Sequence, residues 1–135
     1  MQAAGEGEPP AGEPAIRVVA MPADTNPNGD IFGGWLVSMM DLAAGTIASQ
    51  HSKGRAATIA IDGMVFHRPV KVGDVVSVYA DLLSVGRTSM KIHVAAWRCS
   101  RNGTEREKVT HATFTFVAIG DEGQARVIAK PVSGE

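Results

Sequence analysis

Residues 35–51 read WLVSMMDLAAGTIASQH, a stretch without proline that is rich in leucine, methionine and alanine. These residue types favour an α-helix, so we predict one long helix from Trp35 to His51, ended by the Lys53-Gly54 pair. Apolar residues lie on nearly every side of this helix, a pattern typical of a helix that is buried on most sides. The rest of the fold must therefore supply enough apolar surface to cover it.

Around the helix, β-branched and apolar residues predict strands. One strand precedes the helix and four follow it: Ile16 to Met21, then Thr58 to Phe66, Val75 to Val85, Thr88 to Cys99 and Lys108 to Ile119. A last short piece, Ala125 to Ala129, is a candidate edge strand.

Alternation within two of these strands predicts their buried faces. The shared faces consist of Met90, Ile92, Val94 and Ala96 on one strand and of Ala112, Phe114 and Phe116 on the next. Asn102-Gly103 is a strong hairpin-turn signal between them, and tight turns between the four strands imply antiparallel pairing. Because one five-stranded sheet covers only one side of the helix, either the sheet curls around it or a second subunit covers the remainder. We predict a dimer.

The composition is that of an ordinary globular domain. Of 135 residues, 44% are hydrophobic and 20% are charged, with a formal net charge of -1. This balance provides no positive field for nucleic acid, and no apolar run approaches the roughly 20 residues of a membrane helix. Cys99 is the only cysteine, which excludes an internal disulfide, and the N-terminus lacks a signal-peptide pattern. We expect a cytoplasmic protein that binds neither nucleic acid nor membrane.

The first 14 residues, MQAAGEGEPPAGEP, differ in composition from the rest of the chain. Glycine, proline, alanine and glutamate cannot bury enough surface to offset the entropy lost on ordering. We therefore predict a disordered N-terminal tail over residues 1–14 and a single domain over residues 15–135.

Asp41 is the one charged residue between Ile31 and Gln50. Its helical neighbours include Ala44 and Gly45, which leave open space beside the carboxyl group. A buried carboxylate without a partner costs several kcal/mol or shifts its pKa, so stability alone does not account for it. Asp41 is a candidate for acid–base or nucleophilic chemistry; the alternatives are a solvent-facing side chain or a structural ion pair.

The loop before the helix, PADTNPNGDIFGG over residues 22–34, is dense in turn formers. Gly33-Gly34 lies at the helix start, where unpaired N–H groups and the helix dipole suit an oxyanion or a phosphate. Gly34 precedes Asp41 by about two turns, roughly 10 Å along the axis, a gap that a bound acyl group can span. The alternative is a tight turn that needs glycine. Asn26 can orient a water molecule, although asparagine in a loop is most simply a turn residue.

The run MPADTNPNGDIFGGWLVSMMD, from Met21 to Asp41, resembles the signature of the hotdog-fold acyl-CoA thioesterases, in particular the bacterial YciA type. The resemblance continues through ATIAIDGMVFHRPVKVGDVVSVYADLLSVGRTSMKI and VTHATFTFVAI, and it spans residues 16–130. It implies an α+β hotdog fold, in which an antiparallel sheet of five to six strands wraps around one long central helix and the sheets of two subunits join across a dimer. It also implies that such dimers assemble into a trimer of dimers and that acyl-CoA binds at the dimer interface.

The same resemblance implies a set of site residues. It places the helix carboxylate on Asp41, a catalytic asparagine on Asn26, and the oxyanion-binding backbone at Gly33 and Gly34, with the N–H of Gly34 as the donor. A turn similar to one that holds CoA in the family consists of Gly86, Arg87, Thr88 and Ser89. Arg87 there suits a phosphate by bidentate hydrogen bonding, or it is a solvated hairpin arginine. 

The implied reaction is hydrolysis of an acyl-CoA thioester to a free carboxylic acid and CoA. Asp41 would act as a general base on water or as a nucleophile, without a metal or other cofactor. A hotdog hydratase or dehydratase is one alternative, although such chemistry usually pairs a histidine with the carboxylate, and His51 lies at the far end of the helix. A non-catalytic acyl-CoA-binding module is the other, and it would bind CoA without releasing it in a thiol-capture assay.

Histidine and cysteine side chains indicate no second site. The four histidines at positions 51, 67, 93 and 111 lie far apart in the sequence, without the spacing of metal ligands. Cys99 stands at a hairpin end without an evident base to activate it. We predict no metal site.

Overall fold

The computed structural model describes residues 8–129 of the chain. Within them lie one α-helix and five strands, in the order β1 (Ile16–Val19), α1 (Gly33–Ser52), β2 (Ala56–Asp62), β3 (Val75–Val85), β4 (Ser89–Cys99) and β5 (Arg106–Ala118). A single 3-10 turn, Pro22–Asp24, lies between β1 and α1. The predicted helix and the five main strands are all present.

All five strands form one antiparallel sheet in the order β1-β3-β4-β5-β2. The predicted antiparallel pairing is confirmed, but the prediction of tight turns between all four later strands is wrong. β2 pairs with β5 rather than β3, so residues 63–74 form a long connection between an edge strand and an interior one.

Two strand predictions are corrected at their ends. β2 stops at Asp62 rather than Phe66, because Gly63 takes a left-handed backbone conformation with φ of 76° and turns the chain out of the sheet. The piece from Ala125 to Ala129 does not form a sixth strand; Ala125 makes only an isolated bridge to Ile119. The sheet therefore has five strands.

The helix packs on one face of this sheet and contacts β2, β3, β4 and β5. It ends where predicted: Lys53 adopts a left-handed φ of 61°, and the N–H of Gly54 donates to the carbonyl of Ser49 at 3.2 Å. The buried side of the helix consists of Leu36, Met40, Ala43, Ala44 and Ala48. The predicted sheet faces are confirmed, because the same core contains Met90, Ile92, Val94, Ala96, Ala112, Phe114 and Phe116. This is the helix-wrapping sheet of a hotdog fold.

One side of the helix stays uncovered within a single subunit. Leu42 is 59% exposed on α1, and Ile59 and Ile61 are exposed on the neighbouring edge strand β2. Apolar side chains and an unpaired strand edge thus lie on the same side of the molecule. Across residues 8–129, no helix combines the length and the hydropathy needed to cross a bilayer.

Candidate active site

Asp41 lies in the middle of α1 and faces the edge strand β2. The hydroxyl of Thr58 on β2 donates a hydrogen bond to one carboxylate oxygen of Asp41. A β-bulge between Thr58 and Ala60 interrupts the pairing of β2 with β5, and bulges of this kind commonly re-aim side chains beside active sites. Asp41 is half-buried. Its exposure is thus intermediate between the buried and the solvent-facing side chain that the sequence analysis left open.

An open cleft of about 450 Å³ surrounds this carboxylate. Its lining includes Leu42, Gly45 and Thr46 from α1 together with Phe116 from β5. The Phe116 ring lies 3.5 Å from the position that a side-chain carbon on Gly45 would take. The small residue predicted beside Asp41 therefore leaves room between the helix and this ring, and the cleft has an apolar side next to a hydrogen-bonded acid.

The surroundings of Asp41 supply a hydroxyl partner but no cation. Among residues 8–129, no arginine, lysine or histidine lines its cleft or forms an ion pair with it. The structural ion pair that the sequence left open is therefore not formed within the subunit. A hydratase-type pairing of histidine with this carboxylate likewise has no support in the described part of the chain.

The first turn of α1 presents the predicted backbone donors. The N–H groups of Gly33 and Gly34 have no acceptor within residues 8–129, whereas those of Trp35 and Leu36 both donate to the carbonyl of Phe32. Around Gly34, the space that a side-chain carbon would occupy is open to a distance of 4 Å. A ligand can therefore approach the N–H of Gly34 closely.

Asn26 has a defined role in the loop before the helix. Its side-chain oxygen accepts hydrogen bonds from the N–H of Asn28 at 2.9 Å and from that of Asp30 at 3.1 Å. This is the turn-forming use of asparagine. Asn26 does not line the Asp41 cleft of its own subunit, so only its amide nitrogen is available for a further contact.

The turn between β3 and β4 borders a different cleft, of about 700 Å³. Gly86 and Arg87 line it together with His51 at the end of α1 and with Val127 near the C-terminus. The Arg87 side chain is exposed, and no acidic partner lies within ion-pair distance of it among the described residues.

The remaining two residues of this turn act through their backbones. The carbonyl of Ser89 accepts from the N–H of Gly86 at 2.7 Å, and the carbonyl of Thr88 accepts from the N–H of Ala118 at 2.8 Å. Neither Thr88 nor Ser89 lines the cleft. The exposed guanidinium of Arg87 is the charged group of this cleft that suits a phosphate.

One buried ion-pair cluster contrasts with the Asp41 cleft. Arg98 on β4 donates two hydrogen bonds to Asp74, at 2.6 Å and 3.1 Å, and it also contacts Glu105 and Glu107. Hydrogen bonding to Asp74 raises the pKa of the Arg98 guanidinium above its already high ordinary value. This cluster ties the loop before β3 to β4 and β5.

Three histidines that are far apart in the sequence meet on the sheet. The His111 ring centroid lies 5.5 Å from that of His93 and 6.4 Å from that of His67. Burial lowers the pKa of His111, and the nearby Lys108 and the two histidines lower it further. Their distance in sequence gave no sign of this contact, and no group of side chains within residues 8–129 has the geometry of a metal site.

The structure brings together some of the predicted residues and separates others. Gly86 and Arg87 share a cleft, whereas Asp41, Asn26 and Gly34 do not share one within a subunit. Sequence reasoning missed Thr58 and His51. No local signal identifies Thr58, because its contact with Asp41 depends on how β2 packs against α1, 17 residues away in sequence.

Comparison with known proteins points to one family. The sequence profile of the thioesterase superfamily matches residues 28–103. An uncharacterized acyl-CoA thioester hydrolase of Zymomonas mobilis is 56% identical over 113 residues, covering 84% of this chain and 76% of the relative. Acyl-CoA thioester hydrolase YciA of Escherichia coli K12 is 45% identical over 122 residues, covering 88% and 92%. The crystal structure of a hexameric hotdog fold thioesterase of Campylobacter jejuni is similar, with a TM-score of 0.81, 40% identity, and coverage of 87% and 91%.

Proposed function

The chain belongs to the thioesterase superfamily and hydrolyses acyl-CoA thioesters to a carboxylic acid and CoA, and we propose that Asp41 carries this reaction in a cleft completed by a second subunit. The observation that supports the proposal is the half-buried Asp41 carboxylate, which has a hydroxyl partner but no cation among the described residues. A carboxylate that no cation holds in an ion pair can act directly on a bound substrate.

The two oxygens of Asp41 have different roles in this proposal. Thr58 holds one oxygen by its hydroxyl hydrogen bond, and this contact fixes the orientation of the side chain. The other oxygen faces the substrate. It either takes a proton from the attacking water or attacks the thioester carbon itself to form a mixed anhydride that water then hydrolyses. Both routes release CoA as the leaving thiol and need no metal or other cofactor.

The oxyanion donor in this proposal is the N–H of Gly34 from the partner subunit. Within one subunit, Gly34 and Asp41 lie roughly 10 Å apart along the helix axis. A carbonyl oxygen must lie about 3 Å from its donor, and the attacking group must lie about 3 Å from the adjacent carbon. A whole acyl group can span this gap, but its thioester group alone cannot contact both residues of the same helix. 

A dimer whose two-fold axis lies beside β2 would bring Gly34 of one subunit close to Asp41 of the other. Edge-to-edge pairing of two β2 strands would join the sheets and lay the two helices antiparallel, so that the start of each helix faces the middle of the other. The exposed Leu42, Ile59 and Ile61 would be buried in that interface. We propose this dimer as the catalytic unit and a trimer of dimers as the full assembly, consistent with the hexameric relative of known structure.

The CoA moiety is proposed to bind along the turn from Gly86 to Ser89. Arg87 would contact a phosphate group, and Gly86 lets the ligand approach the backbone. Asn26 would use its amide nitrogen to orient the water or the thioester carbonyl. Since Cys99 is the only cysteine and acyl-CoA is the substrate, we propose that the enzyme acts in the cytoplasm.

Replacing Asp41 tests the proposed function. Asp41→Asn should lower kcat for CoA release by about 10²–10⁴, the range for loss of a general base, across a panel of acetyl, short, medium, long and aromatic acyl-CoAs. Calorimetry should show that CoA still binds. The matched control is Asp121→Asn, which removes an exposed loop carboxylate and should leave kcat unchanged. Turnover of Asp41→Asn at the wild-type rate would contradict the proposal.

A further inference from the structure

A small apolar pocket lies beside the first turn of α1. It has a volume of about 200 Å³. Two exposed rings line it, Phe32 at 49% and Phe66 at 46% exposure. Four further lining residues are at most 8% exposed, namely Ile31, Leu36, Val70 and Val109. The buried residues therefore form the closed end of the pocket, and the two rings lie toward its mouth.

The pocket has no unpaired charge among the residues that line it. Arg68 is the one charged lining residue within residues 8–129, and its Nε pairs with Glu107 at 3.0 Å. Its side chain is 57% exposed. An exposed, paired arginine keeps its charged end in water while its alkyl stem borders apolar groups. The pocket therefore suits an apolar ligand group.

This pocket adjoins the proposed oxyanion donor. Gly33 lines it, and the Phe66 ring lies 3.5 Å from the position that a side-chain carbon on Gly33 would take. The N–H of Gly34 belongs to the peptide bond that joins the two glycines, so its nitrogen lies about 2.4 Å from the Cα of Gly33. A thioester carbonyl bound to this N–H therefore has its carbon chain beside the pocket.

We propose that this pocket binds the acyl chain of the substrate and limits its length; we refer to it as the acyl pocket. The inference rests on the proposed function, in which the carbonyl oxygen binds the N–H of Gly34. A cavity of about 150 Å³ is large enough for benzene, so the 200 Å³ of the acyl pocket holds roughly six to eight carbon atoms. Short straight chains and a benzoyl ring fit, whereas a longer chain extends past Phe66 into solvent.

The wall that carries Phe66 is fixed to the sheet on both sides of the ring. The N–H of His67 donates to the carbonyl of Val109 at 2.8 Å, and the hydroxyl of Thr110 donates to the carbonyl of Val65 at 2.7 Å. A wall that is held in place before the ligand arrives discriminates by size, because it cannot widen without loss of these hydrogen bonds. Phe66 is therefore the residue that we assign to chain-length selection.

Binding of S-alkyl-CoA thioethers tests the acyl pocket without hydrolysis. These probes carry an alkyl chain on the CoA sulfur and lack the thioester carbonyl, so the enzyme does not cleave them. Calorimetry on the full-length protein should show a Kd that falls about fourfold per methylene from S-methyl-CoA to S-hexyl-CoA and is equal for S-decyl-CoA and S-dodecyl-CoA. Equal Kd values for the S-methyl and S-hexyl probes, or a fall that continues unchanged to the S-dodecyl probe, would overturn the proposal.

The thioether series is independent of the catalytic role of Asp41. Asp41→Asn should bind the probes as the wild type does, because binding requires no reaction. A series without chain-length dependence overturns the acyl pocket and leaves the role of Asp41 intact. Full turnover by Asp41→Asn contradicts the catalytic role and leaves the acyl pocket intact.

Two variants test the walls of the acyl pocket separately. Phe66→Ala removes the ring at the mouth and should lower the ratio of the S-methyl-CoA Kd to the S-hexyl-CoA Kd about tenfold. Its matched control is Val65→Ala, which truncates an exposed neighbour outside the pocket and should leave the ratio unchanged. Val70→Ala enlarges the closed end, so Kd should keep falling for about one or two more carbons, a shift that a merely structural role does not produce. A wild-type ratio in Phe66→Ala, or an unshifted limit in Val70→Ala, would contradict the assignment.

Discussion

Asp41 and Asp74 are two carboxylates removed from bulk water to different degrees, and their partners differ in kind. Asp74 is 3% exposed, and Arg98 neutralises it through two hydrogen bonds. Asp41 is half-buried, and within residues 8–129 its one side-chain hydrogen-bond partner is the hydroxyl of Thr58. A fully compensated charge holds elements together, whereas an uncompensated charge costs stability and stays reactive. The difference predicts that substitutions at the two positions affect different properties.

The largest effect on stability is expected at Asp74. Asp74→Asn leaves the buried Arg98 with only its glutamate partners, and breaking a buried pair costs about 3–5 kcal/mol. Because Glu107 still contacts Arg98, we expect a loss near the lower end of that range. Urea unfolding at fixed protein concentration measures it. Activity per folded molecule should stay within about twofold, and a variant as stable as the wild type would show that this cluster does not hold the fold together.

Removal of the Gly34 N–H at the start of α1 is expected to lower kcat more than any other change except substitution of Asp41. Gly34→Pro removes the N–H and is tolerated in the first helical turn, so kcat should fall about 10²–10³. Gly34→Ala keeps the N–H and fits the open space, so its kcat should stay near that of the wild type. Equal losses in the two variants would attribute the effect to shape rather than to the donor.

Substitutions at Thr58 test how much its hydroxyl group contributes to positioning Asp41. Thr58→Val keeps the shape of the side chain but removes the hydrogen bond to the carboxylate, and a hydrogen bond to a charged group is worth about 1.5–3 kcal/mol. We expect kcat to fall at least about tenfold and the KM for acyl-CoA to change little. Thr58→Ser should restore most of the rate. A Thr58→Ser variant as slow as Thr58→Val would contradict a role for the hydroxyl.

His111 extends the comparison to a third ionisable group, which is partly buried beside Lys108 and two other histidines. Burial lowers the pKa of His111 below its ordinary value of 6.5, so the unfolded chain binds more protons than the folded protein. Stability should therefore decrease as pH falls below about 6.5 and level off below the folded pKa. His111→Gln should reduce this decrease, as measured by unfolding between pH 8 and pH 5. An unchanged pH dependence would exclude His111 as its source.

The elements of the fold follow from local patterns, but the contacts of the site do not. Alternation predicted the buried faces of β4 and β5 because each face is a property of one strand. The partner of β2, the contact between Thr58 and Asp41, and the meeting of His67, His93 and His111 all depend on strand order and register across long sequence separations. No spacing within the chain encodes them directly.

Subunit mixing tests the central claim most directly: each site combines Asp41 of one subunit with the N–H of Gly34 from its partner. Neither Asp41→Asn nor Gly34→Pro alone should be active, but a mixed dimer contains one intact site. Random pairing after co-refolding should therefore restore about a quarter of the wild-type activity, because half of the dimers are mixed and one of their two sites is complete. Activity that stays at the level of the separate variants, in mixtures shown to contain mixed dimers, would place both groups in one subunit and contradict the account.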